Sequence, residues 1–364
     1  MKQGRSLMDL AYELERQREG KRDYLLDTRN LTMDCDASFS QLTMKKDDGE
    51  GTATSRILGV TEIAHSQIGQ ALGIPSRYYD KMRSENPELL AQNVNSWFRK
   101  EPKVRMIRTL DGNARAFLSD RYRRIDNYEV AQTVLPIISE MPQAKIESCE
   151  ITDERMYLKV VNPRLTAEVT PGDVVQSGIL ITNSEVGLGS MAIQPLIYRL
   201  VCSNGMVVND AATRRYHIGR GNQAGEDYQL YSDETLQADD RALMMKVRDT
   251  VRAVVDQTRF DKVVGMMRQA KDARIVTANI PQMVELAGTD FGYTKKEGEG
   301  ILDYLIRGGD LSLYGMSNAV TRFAQDVESY DRSTALESIG YSILGMTAQQ
   351  WNRLNAVSAQ GRAA

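Results

Sequence analysis

Apolar residues recur at helical spacing near the start of the chain and give way to a polar stretch after residue 20. One helical face, at positions i, i+3, i+4 and i+7, is formed by Leu7, Leu10, Ala11 and Leu14. Gly20 follows as a stop signal, so the pattern predicts a short amphipathic helix over residues 6–19. The next stretch, Lys21–Thr54, is polar and rich in turn residues, and it predicts an exposed loop or an irregular hairpin.

Helical spacing returns between residues 61 and 98. Thr61 is a suitable N-cap for a helix that Gly73 ends, and a second helix is predicted from Ser76 to about Met82. A third helix begins near Pro87, because proline is tolerated at the first helical position. Its inward face is predicted to consist of Leu90, Val94 and Trp97.

Residues 103–124 combine turn chemistry, strand alternation and positive charge. Asp111-Gly112 predicts a hairpin, since both residues tolerate the positive φ of a tight turn between twisted strands. A three-residue loop over residues 111–113 gives the hairpin one apolar and one basic face. The apolar face consists of Val104, Met106, Ala114, Ala116 and Leu118. The basic face consists of Lys103, Arg105, Ile107, Arg115 and Phe117. A two-residue loop instead sets Arg108 opposite Arg115, a like-charge pair that costs stability. We therefore favour the longer loop.

The rest of the middle third contains one helix followed by strands. Asp126 and Glu129 form a capping-box pair for a helix over about 127–140. Alternation of polar and apolar residues predicts strands at Ile146–Ile151, Met156–Val161, Val174–Thr182 and Met191–Val208. The strands follow one another with short connections, so we expect an antiparallel, mostly meandering sheet.

Helical periodicity dominates from about Ser232 onward. One long helix near Ser232–Lys271 is followed by segments predicted at 280–287, 294–307, 316–328, 333–344 and 347–357. Strands followed by helices indicate an α+β fold with a central antiparallel sheet, packed helices, an N-terminal helical segment and a mostly helical C-terminal part. We divide the chain into an N-terminal helical region (1–100), an α+β core with the sheet and long helix (101–272) and a C-terminal helical region (273–364).

Composition and cysteine usage exclude several classes of protein. The 364 residues are 41% hydrophobic and 26% charged, as in a globular chain of two or three domains. No apolar window could span a membrane and the N-terminus lacks a secretory signal, so we expect a cytoplasmic protein. Three widely spaced cysteines argue against a disulfide framework or a metal knuckle. The sequence has no phosphate-binding loop and no recognisable nucleophile and base pair, so we predict no metal, no cofactor and no catalytic residue.

Positive charge is concentrated in clusters, although the net charge is −3. Single-stranded nucleic acids bind surfaces that combine cations for the phosphates with aromatic rings on which bases stack. Clusters of this composition give the candidate nucleic-acid-binding residues Lys103, Arg105, Arg115, Phe117, Arg121, Tyr122, Arg123, Arg124, Arg214, Arg215, Tyr216 and Arg220. Each cluster is also compatible with a solvated strand face whose arginines pair with nearby acids.

Several stretches, spread in order over most of the chain, resemble a phage- and plasmid-like protein family described as domain of unknown function 932. The similar stretches are His65–Met82, Leu89–Phe98, Arg108–Val130, Tyr198–Met206 and Leu313–Gly340. The family description carries no activity. The resemblance implies a protein that is encoded by a phage or plasmid and works in the bacterial host cell.

The predicted order of elements is similar to the core of Rad52-like single-strand annealing proteins, in which a helix precedes antiparallel strands and a long helix. Such proteins are used by phages in recombination, assemble as rings or filaments, run DNA along a basic groove and need no metal or nucleotide. This resemblance implies single-stranded DNA as the ligand and self-association into a homo-oligomer. Host or phage replication and recombination proteins are the implied partners, and no membrane is involved.

A duplex DNA-binding regulator is an alternative. Residues 61–82 have the helix, glycine turn and helix of a helix-turn-helix, whose second helix would present Arg77, Lys81 and Arg83 to a groove. Short helical hairpins of this kind are more often simple packing elements. His65, on the polar side of the first helix, is expected at the surface.

A protein-interaction module is an alternative from another class. The helical C-terminal part carries Tyr314, Phe323 and Trp351, large rings that would dock onto a host or phage protein. This function needs no nucleic acid.

Overall fold

The computed structural model describes residues 1–36, 39–47, 53–209, 233–254 and 256–357. Within these residues the chain forms a six-stranded sheet, a five-stranded sheet and twelve α-helices. The predicted α+β fold class is therefore confirmed. No helix in the described part of the chain is long and apolar enough to cross a lipid bilayer.

The chain changes from strand-rich to helix-rich as it proceeds. The strands are β1 (Arg22–Asp27), β2 (Leu31–Cys35), β3 (Ser40–Asp47), β4 (Ala53–Val60), β5 (Val104–Leu110), β6 (Asn113–Ser119), β7 (Lys145–Ile151), β8 (Met156–Glu168), β9 (Val174–Asn183), β10 (Ala192–Arg199) and β11 (Asn204–Val207). The helices are α1 (Leu7–Gly20), α2 (Glu62–Ala71), α3 (Ser76–Glu85), α4 (Pro87–Lys100), α5 (Asn127–Glu140), α6 (Asp233–Val254), α7 (Gln257–Asp272), α8 (Ile280–Phe291), α9 (Lys295–Gly308), α10 (Leu313–Phe323), α11 (Tyr330–Leu344) and α12 (Ala348–Asn355).

The first sheet has the strand order β1-β5-β6-β4-β3-β2. The prediction of a loop or irregular hairpin over Lys21–Thr54 is wrong, because this stretch supplies β1, β2, β3 and the start of β4. The N-terminal region is therefore not simply helical, and its strands share a sheet with the β5–β6 hairpin. One face packs on α2, α3 and α4 through a core that includes Leu42, Leu58, Ile68, Tyr79, Leu90 and Phe98.

The β5–β6 hairpin is closed by the two-residue turn Asp111-Gly112. Both residues have positive φ, +50° and +77°, as a tight hairpin turn of this type requires. Beyond the turn Arg115 is an extra residue in β6, and the register shifts so that Arg108 pairs with Ala116. The prediction of a three-residue loop is thus wrong at the turn. Beyond the extra residue Arg115, however, the strands pair as that loop predicted, with Arg108 opposite Ala116. Arg108 and Arg115 therefore do not lie opposite each other.

The second sheet is the predicted antiparallel meander, with the order β11-β10-β9-β8-β7. The single strand predicted at Met191–Val208 is instead two strands, β10 and β11, separated by a turn in which Ser203 has a φ of +50°. Helices α1, α5 and α6 cover one face through a core that includes Leu10, Val134, Leu158, Ile181 and Val247. The C-terminal helices form a further core with Val175, Ile197 and Met206 of the sheet.

The long helix predicted near Ser232–Lys271 is also two helices. Asp256 lies between α6 and α7 in an extended conformation, with φ −109° and ψ 125°. Its carboxylate accepts a hydrogen bond from the backbone N–H of Arg259 at 2.8 Å, which caps α7. The apolar periodicity continues across this break, so periodicity alone predicts one helix where the structure has two.

A buried ion pair holds α11 against the second sheet. Lys159 of β8 and Glu337 of α11 are both fully buried, and Lys159 Nζ lies 2.7 Å from Glu337 Oε2. The same ammonium lies 4.8 Å from the centroid of the Tyr330 ring. Tyr330 Oη is in turn 2.7 Å from Ser148 Oγ of β7. Charge and hydroxyl contacts therefore fix this helix to two strands.

Removing one member of this pair should be far more costly than removing both. We expect Glu337→Gln to lower the free energy of unfolding by about 3–5 kcal/mol, because it leaves the Lys159 ammonium buried without a counter-charge. Replacing both residues, as Lys159→Met with Glu337→Leu, should restore most of that loss or exceed the parent stability. Urea unfolding followed by circular dichroism measures both.

Asp303→Asn is the matched control, because it breaks the exposed Arg307–Asp303 pair on α9. Its effect should stay within about 0.5 kcal/mol. A double variant less stable than either single variant would contradict the expected role of the buried pair.

Candidate nucleic-acid interface

Arg108 is completely buried between the two sheets and is bound by three groups. Its Nε lies 2.9 Å from Asp23 Oδ1 of β1, and its Nη2 lies 2.6 Å from Asp126 Oδ1, just before α5. Its Nη1 donates to the backbone carbonyl of Glu185, in the β9–β10 loop, at 3.0 Å. One guanidinium therefore joins the first sheet to the second.

Glu185 extends this arrangement and is itself only 3% exposed. Its carboxylate accepts hydrogen bonds from Arg115 Nη2 and, at 2.6 Å, from the backbone N–H of Asn127. Lys21 Nζ lies 3.4 Å from Glu185 Oε1 and 2.6 Å from Asp126 Oδ2. We call the six side chains Lys21, Asp23, Arg108, Arg115, Asp126 and Glu185 the ionic cluster. Its three cations and three carboxylates balance.

Two buried members of the cluster, Asp126 and Arg108, keep their charges at neutral pH. Burial opposes the charge on Asp126, but Arg108 and Lys21 hold the pKa of its carboxyl below the ordinary value. Burial likewise opposes the charge on Arg108, but the carboxylates of Asp126 and Asp23 raise the pKa of its guanidinium. The predicted capping role of Asp126 is wrong for the same reason. Its carboxylate makes no cap hydrogen bond with α5 because it binds these two cations.

The basic hairpin face predicted from the sequence is not an open surface. Arg115 points to Glu185, inside the ionic cluster. Phe117 is only 3% exposed, and its ring stacks on that of Phe98 of α4, with centroids 5.8 Å apart and planes at 18°. Ile107 is fully buried in the same core. The prediction of an exposed ring at Phe117 is therefore wrong, because α4 covers this face of the hairpin.

Residues 121–124 lie beside the ionic cluster. Tyr122 is half-buried and donates a hydrogen bond from its hydroxyl to the carbonyl of Ser184 at 3.0 Å. Arg124 Nη1 is 3.5 Å from Asp23 Oδ2, at the solvent margin of the cluster. Arg121 is exposed and Arg123 half-buried, and each has an interaction partner. The candidates outside the described residues are Arg214, Arg215, Tyr216 and Arg220.

Lys103 and Arg105 are predicted cations that lie together at the surface. They line a cleft between the start of β5 and the end of α4, together with Trp97 and Glu101. Lys103 is exposed and Arg105 half-buried. Neither has an ion-pair partner among the residues that the structure describes. The backbone N–H of Lys103 donates to Thr28 Oγ1 at 3.1 Å, which fixes the chain at this point.

Trp97 and Lys100 complete this surface, although the sequence prediction did not include them. Leu90 and Val94 face inward as predicted, but the third buried residue of α4 is Phe98, and Trp97 is half-buried at the margin. Lys100 Nζ lies 4.9 Å from the centroid of the Trp97 ring. The sequence could have indicated this surface, because Trp97, Lys100, Lys103 and Arg105 place an aromatic ring and three cations within nine residues. We call these four residues the basic cleft.

The helix-turn-helix candidates are partly used within the fold. Arg83 forms a two-point contact with Glu62 across α2 and α3, and Lys81 Nζ lies 3.7 Å from Glu85. The expectation that His65 lies at the surface is wrong, because the residue is only 3% exposed. Its Nδ1 lies 2.9 Å from Tyr79 Oη. Burial lowers the pKa of His65 to about 4, so the ring is neutral at pH 7. The histidine therefore helps to fasten α3 to α2.

The rings proposed for a protein-interaction module lie mainly in the C-terminal core. Tyr314 is 1% and Trp351 7% exposed, and Phe323 is half-buried against the same core. Tyr314 Oη also donates to Asp173 Oδ2 at 2.9 Å. Two of these three rings are therefore structural and are not presented to a partner.

Sequence comparison assigns the chain to a family. The chain has an α+β fold. Its residues 116–337, more than half of its length, match the family model of a domain of unknown function (DUF932). The chain belongs to this family, which confirms the resemblance seen in the sequence. Comparisons with curated proteins and with solved structures found no match.

The ionic cluster should make stability depend on pH. The folded-state pKa of Asp126 lies below the ordinary value near 3.9, so its contribution is present above about pH 4 and is lost as the pH falls through the lower folded value. We expect Asp126→Asn to cost about 1–3 kcal/mol at pH 7 and progressively less toward pH 3. Urea unfolding at pH 7, 5 and 3 measures this difference.

Asp153→Asn serves as a control, because this aspartate is exposed in the turn between β7 and β8. It should change stability little at any of the three pH values. A cost of Asp126→Asn that is equal at pH 7 and pH 3 would show that its charge is not what the cluster uses.

Proposed function

We propose that this protein binds single-stranded DNA through the basic cleft. The observation that supports the proposal is that Lys103 and Arg105 line one cleft with the half-buried Trp97, whose ring centroid lies 4.9 Å from Lys100 Nζ. Glu101 lines the same cleft, so positive charge predominates there. Cations next to an accessible ring suit a phosphate backbone with one base stacked beside it.

Stacking of a base on Trp97 is energetically feasible although Lys100 now lies over the ring. An exposed cation–π contact contributes about 0.5–1 kcal/mol. A base stacked on an aromatic side chain contributes about 1–3 kcal/mol. A base would therefore displace the Lys100 ammonium, which would then be free to approach a phosphate.

A surface of this size supports only weak binding by one copy of the chain. Each phosphate contact with a single strand contributes about 0.7 to the slope of log K against log salt, so three contacts give about 2. Several copies on one strand would bind much more tightly than one. The proposal therefore includes self-association on DNA, with annealing of complementary strands as the activity that such an assembly would promote.

Removing two of the cations should weaken binding and its salt dependence together. For Lys103→Gln with Arg105→Gln we expect the slope of log K against log salt to fall from about 2 to about 0.7, because two phosphate contacts are lost. Binding should weaken alike for oligonucleotides of different sequence. Fluorescence anisotropy with a labelled single strand, at several salt concentrations, measures both quantities.

Lys295→Gln with Lys296→Gln is the matched control, because it removes two exposed lysines from the start of α9. It makes the same change in net charge, so an equal loss of affinity would mean that total charge and not the cleft attracts DNA. Tighter binding of one duplex sequence than of any single strand would favour the helix-turn-helix alternative. Absence of binding at low salt would end the proposal.

Trp97 offers a test that leaves every charge in place. We expect Trp97→Leu to weaken single-strand binding by about 5- to 150-fold, equivalent to about 1–3 kcal/mol, without changing the salt slope. Trp97→Phe should retain part of the affinity, since it keeps a ring. Tryptophan fluorescence provides a second measurement, because base stacking should quench it in the parent protein. A Leu variant that binds as tightly as the parent would remove stacking from the proposal.

A further inference from the structure

A polar groove lies on the second sheet, between its face and α11. The groove has a volume of ≈ 400 Å³. Its floor includes Leu180 and Thr182 of β9 and Gln194 of β10, and Ala335 and Ser338 of α11 form the opposite wall. The volume is within the range of small-molecule sites.

Two opposite charges face this groove without pairing with each other. Arg155, just before β8, and Asp331, in the first turn of α11, both line it and are both half-buried. Neither has an ion-pair partner within the part of the chain that the structure describes.

The hydroxyl of Tyr157 keeps the two charges apart. It donates to Asp331 Oδ1 at 2.6 Å, and the Arg155 side chain lies beside the same phenol. Burial and the Asp331 carboxylate raise the pKa of Tyr157, whereas Arg155 lowers it, so both charges act on one oxygen. The phenol oxygen thus bridges the two charged groups.

Neighbouring groups hold the two charged side chains in place. Thr152 Oγ1 donates to Asp331 Oδ1 at 3.1 Å and accepts from the backbone N–H of Arg155 at 3.1 Å. Arg155 Nη2 donates to the carbonyl of Leu188. Among the described residues, Asp331 Oδ2 has no hydrogen-bond partner, and the guanidinium of Arg155, which has five N–H groups, contacts only the carbonyl of Leu188 and the hydroxyl of Tyr157. An acceptor and a pair of donors are therefore available and already positioned.

A buried hydroxyl on the wall of the groove also lacks a partner. Thr334 of α11 is 7% exposed and lines the groove. Its Oγ1 is shielded from solvent and makes no hydrogen bond with any residue that the structure describes. Because this oxygen has no accessible surface, it belongs to the packing behind the groove wall and is not a ligand contact.

We propose that this groove binds a zwitterionic α-amino acid, with its carboxylate on Arg155 and its ammonium on Asp331. An α-amino acid carries both charges on one carbon, which fits two opposite charges held a short distance apart. Hydrogen bonds to charged groups are roughly twice as strong as those between neutral groups. The ligand side chain would lie along Leu180 toward Gln194. This site is independent of the basic cleft.

The first test uses the intact chain and two probe mixtures. An equimolar mixture of the twenty standard amino acids should raise the midpoint of thermal unfolding, because a ligand that binds only the folded state stabilises it. The corresponding N-acetyl amino-acid amides, which carry neither main-chain charge, should not. An equal shift with the amides would overturn the assignment of charges, and no shift with either mixture would overturn the site.

The second test locates binding with variants, using the single amino acid that gives the largest shift. Isothermal titration should show that Arg155→Gln and Asp331→Asn each raise Kd by about tenfold or more. Ala335→Leu keeps both charges but fills the groove, so it should abolish binding. Ala242→Leu, at an exposed alanine of α6, is the matched control and should bind as the parent does. Unchanged binding by the Ala335→Leu variant would place the ligand elsewhere.

Discussion

The structure depends on one buried guanidinium. Arg108 has no exposed surface, and an isolated charge in that position would be prohibitively costly. The fold compensates by bringing Asp23, Asp126 and the loop that carries Glu185 to it from three separate segments. Because each of these groups is fixed in turn by backbone or by another cation, the requirement to neutralise Arg108 sets how the two sheets meet. The relative placement of the sheets is thus an electrostatic constraint as much as a packing one.

The fold class and most helices could be predicted because their signals are local. Caps such as Thr61 and stops such as Gly20 act within one or two turns, and the structure has helix boundaries close to those positions. The strands in Lys21–Thr54 were missed because their apolar residues are few and alternate with polar ones. In β2, Leu31 and Met33 are buried while Asp34 is exposed. Their partner strands, and the core that selects one face, lie elsewhere in the chain.

The candidate interface was harder to predict than the fold. Whether an arginine is free depends on which carboxylate folding brings to it, and Arg115 meets Glu185 from 70 residues away. No local pattern contains that information. The same applies to Phe117, which alternation places on the side of Arg115 but which α4 covers. Lys103 and Arg105 stay accessible because they precede the covered part of β5, close to the end of the helix that carries Trp97.

The pairing of β1 with β5 has a consequence for synthesis of the chain. β1 is an edge strand whose neighbour begins at residue 104, whereas β2, β3 and β4 follow one another and pair locally. On the ribosome the meander can therefore form first, while β1 waits for its partner. At about 5–20 residues per second this delay is on the order of 4–15 s. During that time the nascent chain presents Leu25 and Leu26 unpaired, which makes this segment a target for chaperones that bind short apolar stretches.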